Sequence, residues 1–469
     1  MGNKYMKNWQ KEILKYGELY EVGGAVRDKL INPKLKIKDT DYLVTNIPMK
    51  KLIKLLKQFG SVQLVGKSFG IIKFIPVGGN IIYDIALPRQ EYSIGVGHRD
   101  FVVKYDHRIN IEEDMKRRDF TINAIAYNLR TKKYIDPLNG ISDLKKRLIR
   151  MITEKSFIDD PLRMLRAVQF AARFNYRIEP KTLNAIKKYS SLVSTVSAER
   201  IQEELVKLLT KSKRPSIGLE IMSKTGLLKK IIPELESGKN IKQNIYHKYD
   251  IMRHNFYTCD ATPQDNINLR LAGLLHDIGK VKTKKKVKGK TGKIKTVFYS
   301  HEELSAKLAE RILTRLKFSN NTIKKVCHLI KNHMFIYDKE WTDSAVRRFI
   351  KRVGVENIED LFLLRKADRV ANGKKKGFDT KLQELYLRIK KELSKKTVLD
   401  LKDLAVNGND VMRVLNIPPG PTVGRILQQL LNLVIENPSL NTRSNLLKKI
   451  NVLGELSQNK ISTGTFMKK

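Results

Sequence analysis

Two cysteines in 469 residues, Cys259 and Cys327, leave no room for a disulfide framework, and their separation fits no metal-ligand spacing. Buried thiols are the expectation. Long hydrophobic runs are also missing, which excludes helical membrane spans. The start, Met1-Gly2-Asn3-Lys4, has no apolar signal core, so cytoplasmic residence is expected. Acidic residues are scarce: 48 Asp and Glu stand against 92 Lys and Arg, a formal net charge of +44. A chain this basic is expected to meet a polyanion, nucleic acid first, although lysine dominates over arginine and part of the excess is solvated surface.

The length suits roughly two to four domains with real apolar cores. Residues from about 16 to 150 mix short β-type runs with helices. Leu19–Val22, Asp41–Val44, Gly70–Phe74 and Ile81–Ile85 read as strands, and Gly78-Gly79-Asn80 between the last two is a hairpin signal. From about 151 onward the pattern is helical, with Pro233 and Ser237-Gly238-Lys239-Asn240 marking a seam. Residues 280–295 carry nine lysines with glycines and read as a mobile basic loop. The fold class is α+β, an α/β head followed by an all-helical body. The expected boundaries are a head over 1–150, a helical neck over 151–240, a body over 241–375, a tail over 376–455 and a disordered end over 456–469.

Gly23-Gly24-Ala25-Val26-Arg27-Asp28 opens a helix with a glycine pair, where a backbone can approach a phosphate and the helix N-terminus favours negative charge. Lys38-Asp39-Thr40-Asp41 then sets two carboxylates two residues apart on a strand, so both can point the same way. Hard oxygen ligands beside a phosphate cradle describe a magnesium site for nucleotidyl transfer. In Arg117-Arg118-Asp119-Phe120-Thr121-Ile122-Asn123, the arginine can clamp phosphate or ribose and Asn123 can fix a side chain by hydrogen bonds.

Asp159-Asp160-Pro161-Leu162-Arg163-Met164-Leu165-Arg166 adds a fourth segment. Asp160 is a good N-cap and Pro161 suits a first helical position. Asp160 and Arg163, three apart, are also expected to share a helix face. An acceptor beside a donor matches the pairing edge of cytosine or adenine and leaves guanine or uracil facing like partners.

Together these segments resemble the class II tRNA nucleotidyltransferases, the CCA-adding enzymes, and their relatives the bacterial poly(A) polymerases. The resemblance runs from about residue 18 to 210 and includes Asp136-Pro137-Leu138-Asn139-Gly140 and Ser197-Ala198-Glu199-Arg200-Ile201. It implies a DNA polymerase beta-like head in which Asp39 and Asp41 bind magnesium, with Asp84 as a third carboxylate. It places Gly23, Gly24, Arg27, Arg118, Asp119 and Asn123 around the nucleotide, Asp160 and Arg163 on the base, and Arg166 near the triphosphate. Asp159 stands where the family usually has Glu, and Gln169 where many relatives carry arginine.

Farther on, His276-Asp277-Ile278-Gly279-Lys280 ends an apolar helical run, with His254 before it and His301, His333 and Asp368 after it. This order resembles the HD superfamily of metal-dependent phosphohydrolases. The resemblance implies His254, His276, Asp277 and Asp368 as ligands, with His301 and His333 as further ligands or phosphate-facing groups. Imidazoles with carboxylates suit manganese, nickel, iron or cobalt.

The implied activity is template-independent addition of C, C and A to the tRNA 3′ end from CTP and ATP, by two-metal transfer, with an accessory HD hydrolase activity. The alternatives are a CC- or A-adding enzyme, a poly(A) polymerase, or an HD phosphohydrolase with an RNA-binding head. Gly66–Gly70 and the segment from Leu87 through Gly97, read as a mobile loop, look more like CCA-adding enzymes than poly(A) polymerases. No DNA partner is expected, and the sequence does not give an oligomeric state.

Overall fold

The computed structural model describes residues 6–35, 40–65, 70–93, 101–244, 247–288, 292, 294–373, 380–395 and 398–463. Its N-terminal part is built on a sheet made from β1 (Glu18–Val22), β2 (Asp41–Thr45), β3 (Gly60–Val65), β4 (Ile71–Pro76) and β5 (Tyr83–Ala86). A separate hairpin pairs β6 (Arg89–Ser93) with β7 (Phe101–Tyr105), and β8 (Ala126–Asn128) and β9 (Tyr134–Ile135) complete the sheet. The strand order is β3-β4-β5-β2-β1-β8-β9, with β2 and β5 parallel and every other neighbouring pair antiparallel.

Alternation along β2 explains why that strand is central. Tyr42 and Val44 join Trp9, Ile13, Leu52, Leu56, Ile72 and Phe74 on one face. Leu43 packs with Tyr20, Val22, Ile111 and Met115 on the other. Asp41 sits at the exposed entry of this otherwise buried strand. The two later strands begin one and two residues after their sequence limits, and Gly78 turns between them at φ 69°. Edge strand β3 escapes the sequence pattern because most of its residues are exposed on both faces. Within the segment read as a loop from Leu87, Arg89–Ser93 is strand β6; residues 94–100 and 66–69 lie outside the described residues.

A short parallel pair, β10 (Leu148–Ile149) with β11 (Arg177–Ile178), closes the head against the helices that follow. The apolar core then runs unbroken across the Pro233 seam, from Phe157 and Leu165 through Leu228 and Met252 to Leu364 and Leu385. The lysine-rich segment departs from the sequence reading. Lys280–Thr283 is a helical turn, and β12 (Lys284–Lys288) pairs with β13 (Ile294–Phe298) in a hairpin. Partly buried Val287, Thr296, Val297 and Phe298 hold it in place while the lysines project outward, and Gly292 supplies a positive φ in the turn.

The tail has its own core of Leu404, Val411, Ile426, Leu430, Val434, Leu446 and Ile450. It is fastened to the body by buried Arg347, which donates to Ile435 O (2.6 Å), Glu436 O (3.0 Å) and Glu392 (2.9 Å). The last helix, Arg443–Thr463, extends into the stretch expected to be disordered; 464–469 lie outside the described residues. Cys259 is buried and Cys327 half-buried, both unbridged, and burial pushes their thiols up to about 12 and about 11. No described helix is long and apolar enough to cross a membrane.

Candidate active site

A cavity of about 660 Å³ opens between the head sheet and the helices after residue 150. Gly23, Gly24, Arg27, Asp41, Asp84, Arg118, Asp119, Asn123, Asp160, Arg163 and Arg166 all line it, so folding gathers segments more than a hundred residues apart. Asp39 lies outside the described residues. Eight arginines and one lysine line the cavity against five carboxylates, a surplus of positive charge suited to a polyphosphate.

Gly23 ends β1 at φ 73°, a backbone that favours glycine, and caps the helix Gly24–Ile31. A Cβ there would stand 3.3 Å from Asp41 Oδ2 and 3.5 Å from Arg118 Nη1, so the missing side chain keeps the space between carboxylate and guanidinium open. Asp41 and Asp84 face each other in register on parallel β2 and β5. Asp84 is 3.8 Å from Lys73 Nζ, and both are well exposed. Two carboxylates on adjacent strands in an arginine-rich cavity fit a hard divalent cation.

Behind this front lies a buried relay. Arg27, 4% exposed, donates to Asn123 Oδ1 (2.6 Å) and Asp28 Oδ1 (2.8 Å). Its guanidinium lies 4.9 and 4.8 Å from the rings of Phe170 and Phe174. Asn123 Nδ2 donates to Asp119 Oδ1 at 2.9 Å, and Arg166 donates to Asp119 Oδ2 through Nε (2.9 Å) and Nη2 (2.7 Å). Burial raises the Asp119 carboxyl, but Arg166, Asn123 and Arg163 outweigh it and hold it below the usual carboxylate range. Both oxygens of Asp119 are thus occupied, and it holds Arg166 directly and Arg27 through Asn123 at the cavity wall. The sequence reading put Asp119 and Asn123 in contact with the ligand; the structure also ties them to each other and to Arg27 and Arg166.

The expectation that Asp160 and Arg163 share a helix face is corrected. Asp160 precedes the helix Leu162–Phe174 with an extended φ of −139°, so it does not share a helix face with Arg163. Its Oδ1 accepts from Leu162 N at 3.3 Å, and both its oxygens accept from Arg200 Nη2 at 3.1 and 3.0 Å. Arg163 instead donates to Arg118 O at 3.4 Å. Gln169 is buried in the cavity wall with its Nε2 unpartnered, where an arginine would bring a charge.

Sequence reasoning gave no role to Asp114, Arg200 or Glu204. Asp114 is fully buried, receives Arg117 (2.5 Å), Arg118 (3.2 Å) and Arg89 N (3.3 Å), and so aligns the arginines that face the cavity. Its signal was available in the spacing, one helical turn before Arg118. Glu204, one turn after Arg200, is 4% exposed, pairs with Lys207 at 2.8 Å and approaches Arg166 at 4.0 Å.

A second cluster forms in the body, where His254, His276, Asp277, His301, His333 and Asp368 converge, each 8% exposed or less. His254 Nε2 lies 3.3 Å from His276 Nε2, 3.3 Å from Asp277 Oδ2 and 3.1 Å from Asp368 Oδ1. His276 Nε2 lies 3.4 and 3.7 Å from the same two carboxylates. Bonds of about 2.1 Å to a first-row metal would separate neighbouring ligands by about 3.0 to 3.4 Å, so these donors are spaced as the corners of a coordination polyhedron.

His301 and His333 approach the other Asp277 oxygen, at 3.2 and 3.7 Å. His276, His301 and His333 each direct Nδ1 to the carbonyl three residues earlier, at 3.0, 2.7 and 2.6 Å, which turns each Nε2 inward. Asp277 Oδ1 and His301 Nε2 are buried without a hydrogen bond. Such orphaned donor atoms fit a bound cation.

Lys280 Nζ donates to Asp277 Oδ2 (2.5 Å) and Gln243 Oε1 (2.9 Å) on the same side. Burial raises Asp277 and Asp368, yet the imidazoles and, for Asp277, Lys280 outweigh it and hold both well below the usual range. Burial lowers His276, but the two carboxylates prevail and lift it to about 9.

Three families match along the chain: Poly A polymerase head domain over residues 19–150, RNA and SrmB-binding site of polymerase A over 175–239, and tRNA nucleotidyltransferase domain 2 over 290–450. The chain is 33% identical over 334 residues to the A-adding tRNA nucleotidyltransferase of Deinococcus radiodurans, covering 68% of this chain and 74% of that one. It is 32% identical over 333 residues to the multifunctional CCA protein of Psychromonas ingrahamii, covering 68% and 75%. It is 29% identical over 426 residues to the CC-adding tRNA nucleotidyltransferase of Thermus thermophilus, covering 88% and 89%. Among solved structures, the Bacillus stearothermophilus CCA-adding enzyme in complex with CTP shares the fold, with a TM-score of 0.69 at 22% identity over 97% of this chain and 100% of that one. A nucleotide-sized arginine-lined cavity and these relatives agree, and the chain belongs to the class II tRNA nucleotidyltransferases, the family of the CCA-adding enzymes.

Proposed function

We propose that this protein adds C, C and A to the 3′ end of tRNA from CTP and ATP, without a nucleic-acid template. The observation that carries this reading is one cavity lined by both a phosphate-side set (Gly23, Gly24, Arg27, Asp41, Asp84, Arg118) and a base-side pair (Asp160, Arg163). Relatives named for A addition, CC addition and the whole CCA sequence are all similar to the chain. Full CCA synthesis is the choice supported by a base-side pair whose acceptor and donor suit both C and A.

In the proposed reaction, Asp39 and Asp41, with Asp84 alongside, hold magnesium ions. When bound, these ions supply the Lewis acidity that makes the RNA 3′-hydroxyl a nucleophile and neutralises departing pyrophosphate. Arg27 and Arg118 grip the triphosphate and ribose, with Arg166 behind them, so that the α-phosphorus stands in line with the 3′ oxygen. Asp160 accepts from the exocyclic amino group of C or A, and Arg163 donates to the neighbouring ring nitrogen. Guanine and uracil present the opposite pattern and leave buried groups unpaired.

The test supplies tRNA ending before CCA, after C and after CC, with each nucleotide separately and magnesium, and reads product length. Stepwise growth to CCA with CTP then ATP is the expected result. Growth that stops at CC, starts only after CC or continues as poly(A) would replace this reading with one of the narrower activities. Asp41→Ala should lower incorporation at least about 10³-fold, since a lost metal site removes several kcal/mol of transition-state stabilisation. Undiminished incorporation by that variant would sink the proposal.

The body cluster supports a second reading: a divalent manganese, iron, cobalt or nickel ion held by His254, His276, Asp277 and Asp368, with His301 and His333 beside it, serving hydrolysis of phosphate esters. Metal content of wild-type protein and of His276→Ala, with p-nitrophenyl phosphate turnover, tests it. Absence of bound metal in wild type ends this reading and leaves nucleotide addition untouched.

A further inference from the structure

The loop entering the body carries a histidine that the HD-type pattern does not include. His247 stands seven residues before His254, and its ring packs edge to face against that of His254 with centroids 5.1 Å apart. One ligand atom each from His247, His254 and Asp277 lie within 4.8 Å of one another. The six histidines and aspartates of the cluster are buried, whereas His247 is half-buried, so it stands at the edge of the cluster that solvent reaches.

The orientation of His247 repeats that of the inward-facing histidines. Its Nδ1 is 2.7 Å from Asn244 Oδ1, three residues earlier, as His276, His301 and His333 use the carbonyl three residues earlier. An amide oxygen only accepts hydrogen bonds, so Nδ1 carries the proton and Nε2 keeps its lone pair for a cation. A ring fixed through Nδ1 in this way is the arrangement metal-ligating histidines adopt.

We propose that His247 is a fifth ligand of the body metal, joining His254, His276, Asp277 and Asp368 through Nε2. The inference rests on the reading of the body cluster as a metal site. Three imidazoles and two carboxylates exceed the four ligands of a closed tetrahedral zinc site and suit an ion of higher coordination number, such as cobalt, iron, nickel or manganese. Lys280 and Gln243, hydrogen-bonded to each other at 2.9 Å, border the same group through Asp277. His247 thereby fixes which divalent ion the site prefers.

The experiment uses the full chain, stripped of metal and titrated with cobalt(II), comparing wild type, His247→Ala, His247→Gln and His276→Ala. Visible absorption reports coordination number, and a competing chelator reports affinity. The expected result is a weakening of cobalt affinity by about 10- to 100-fold in both His247 variants. It should come with a changed d–d spectrum and, in metal-free protein, an unchanged melting temperature. Unchanged affinity, or weaker affinity with an unaltered spectrum, would overturn the assignment of His247 as a ligand. Wild type that binds no cobalt, matching His276→Ala, would instead remove the metal-site reading itself. If His247→Ala fails to fold, the isosterically closer His247→Gln decides by the same criteria.

Discussion

Arg200, on the helix Ala198–Lys211, donates a single Nη2 to both oxygens of Asp160, at 3.1 and 3.0 Å. The carboxylate expected to read the base is therefore itself held by a residue forty positions later that lines the same cavity. Asp160 sits just outside the helix that carries Arg163, and the local contact from Leu162 N reaches only its Oδ1, so the chain around it does not hold both oxygens. Arg200 does.

Arg200→Ala should accordingly loosen base choice more than it slows the chemistry. A hydrogen bond to a charged group is worth about 1.5–3 kcal/mol, so kcat/KM for CTP and ATP should fall about 10- to 100-fold. Incorporation of GTP and UTP should rise relative to them. Single-turnover incorporation of all four nucleotides checks this, and Arg200→Lys should recover part of the selectivity. A uniform loss for all four would mark Arg200 as structural only.

Asp119→Asn breaks the pair with Arg166, whose side chain is about one-third exposed. Solvent screening reduces the cost of a broken buried pair, and a loss of about 1–3 kcal/mol in stability is expected. The folded-state carboxyl of Asp119 lies below its usual range, so its contribution is present above about pH 3.9 and disappears as pH falls through the lower folded value. Urea unfolding at pH 7 should separate wild type from Asp119→Asn, and the gap should close toward pH 2. A gap that widens in acid would reverse the assigned sign.

Asp84 stands in register with Asp41 but is well exposed and 3.8 Å from Lys73. Asp84→Ala should cost about 10- to 100-fold in rate, less than Asp41→Ala, because it supports the cation without anchoring it alone. The magnesium concentration for half-maximal incorporation should rise in step. Equal losses in the two variants at every magnesium concentration would give Asp84 the same weight as Asp41.

The β12–β13 hairpin presents Lys284, Lys286 and Lys288 on alternate positions of one strand. If they meet tRNA phosphates, the triple alanine variant should reduce the slope of log K against log salt by about 2 to 3, from roughly 0.7–0.9 per contact. Filter binding across a salt series measures it. An identical slope would class these lysines as solvated surface.

The glycine pair, Asp41, Arg27, Arg118 and Arg166 were legible because each has a residue type and spacing with a chemical meaning of its own. That the body histidines and aspartates belong together was legible from their order along the chain. Asp114 and Glu204 were not, since a buried acid looks like any solvated acid until its arginine partners are placed around it. The lysine hairpin escaped because its lysine-rich strands carry no apolar alternation, and β3 because its alternation, Val62 and Leu64 against Ser61 and Gln63, spans only a few residues of an exposed edge; both pair through backbone hydrogen bonds to a neighbour that the sequence does not locate.

The sequence by itself determined which chemistry the chain can perform, because carboxylates, guanidiniums and imidazoles bring fixed charges and donor sets wherever they fold. Only the tertiary structure decided who holds whom: Arg200 on Asp160, Arg166 on Asp119, Asn244 behind His247. The first two pairings join segments 40 and 47 residues apart, where a hydrogen bond of about 3 Å is set by the packing of helices against one another and against the sheet, and the third matters because the fold sets His247 beside His254.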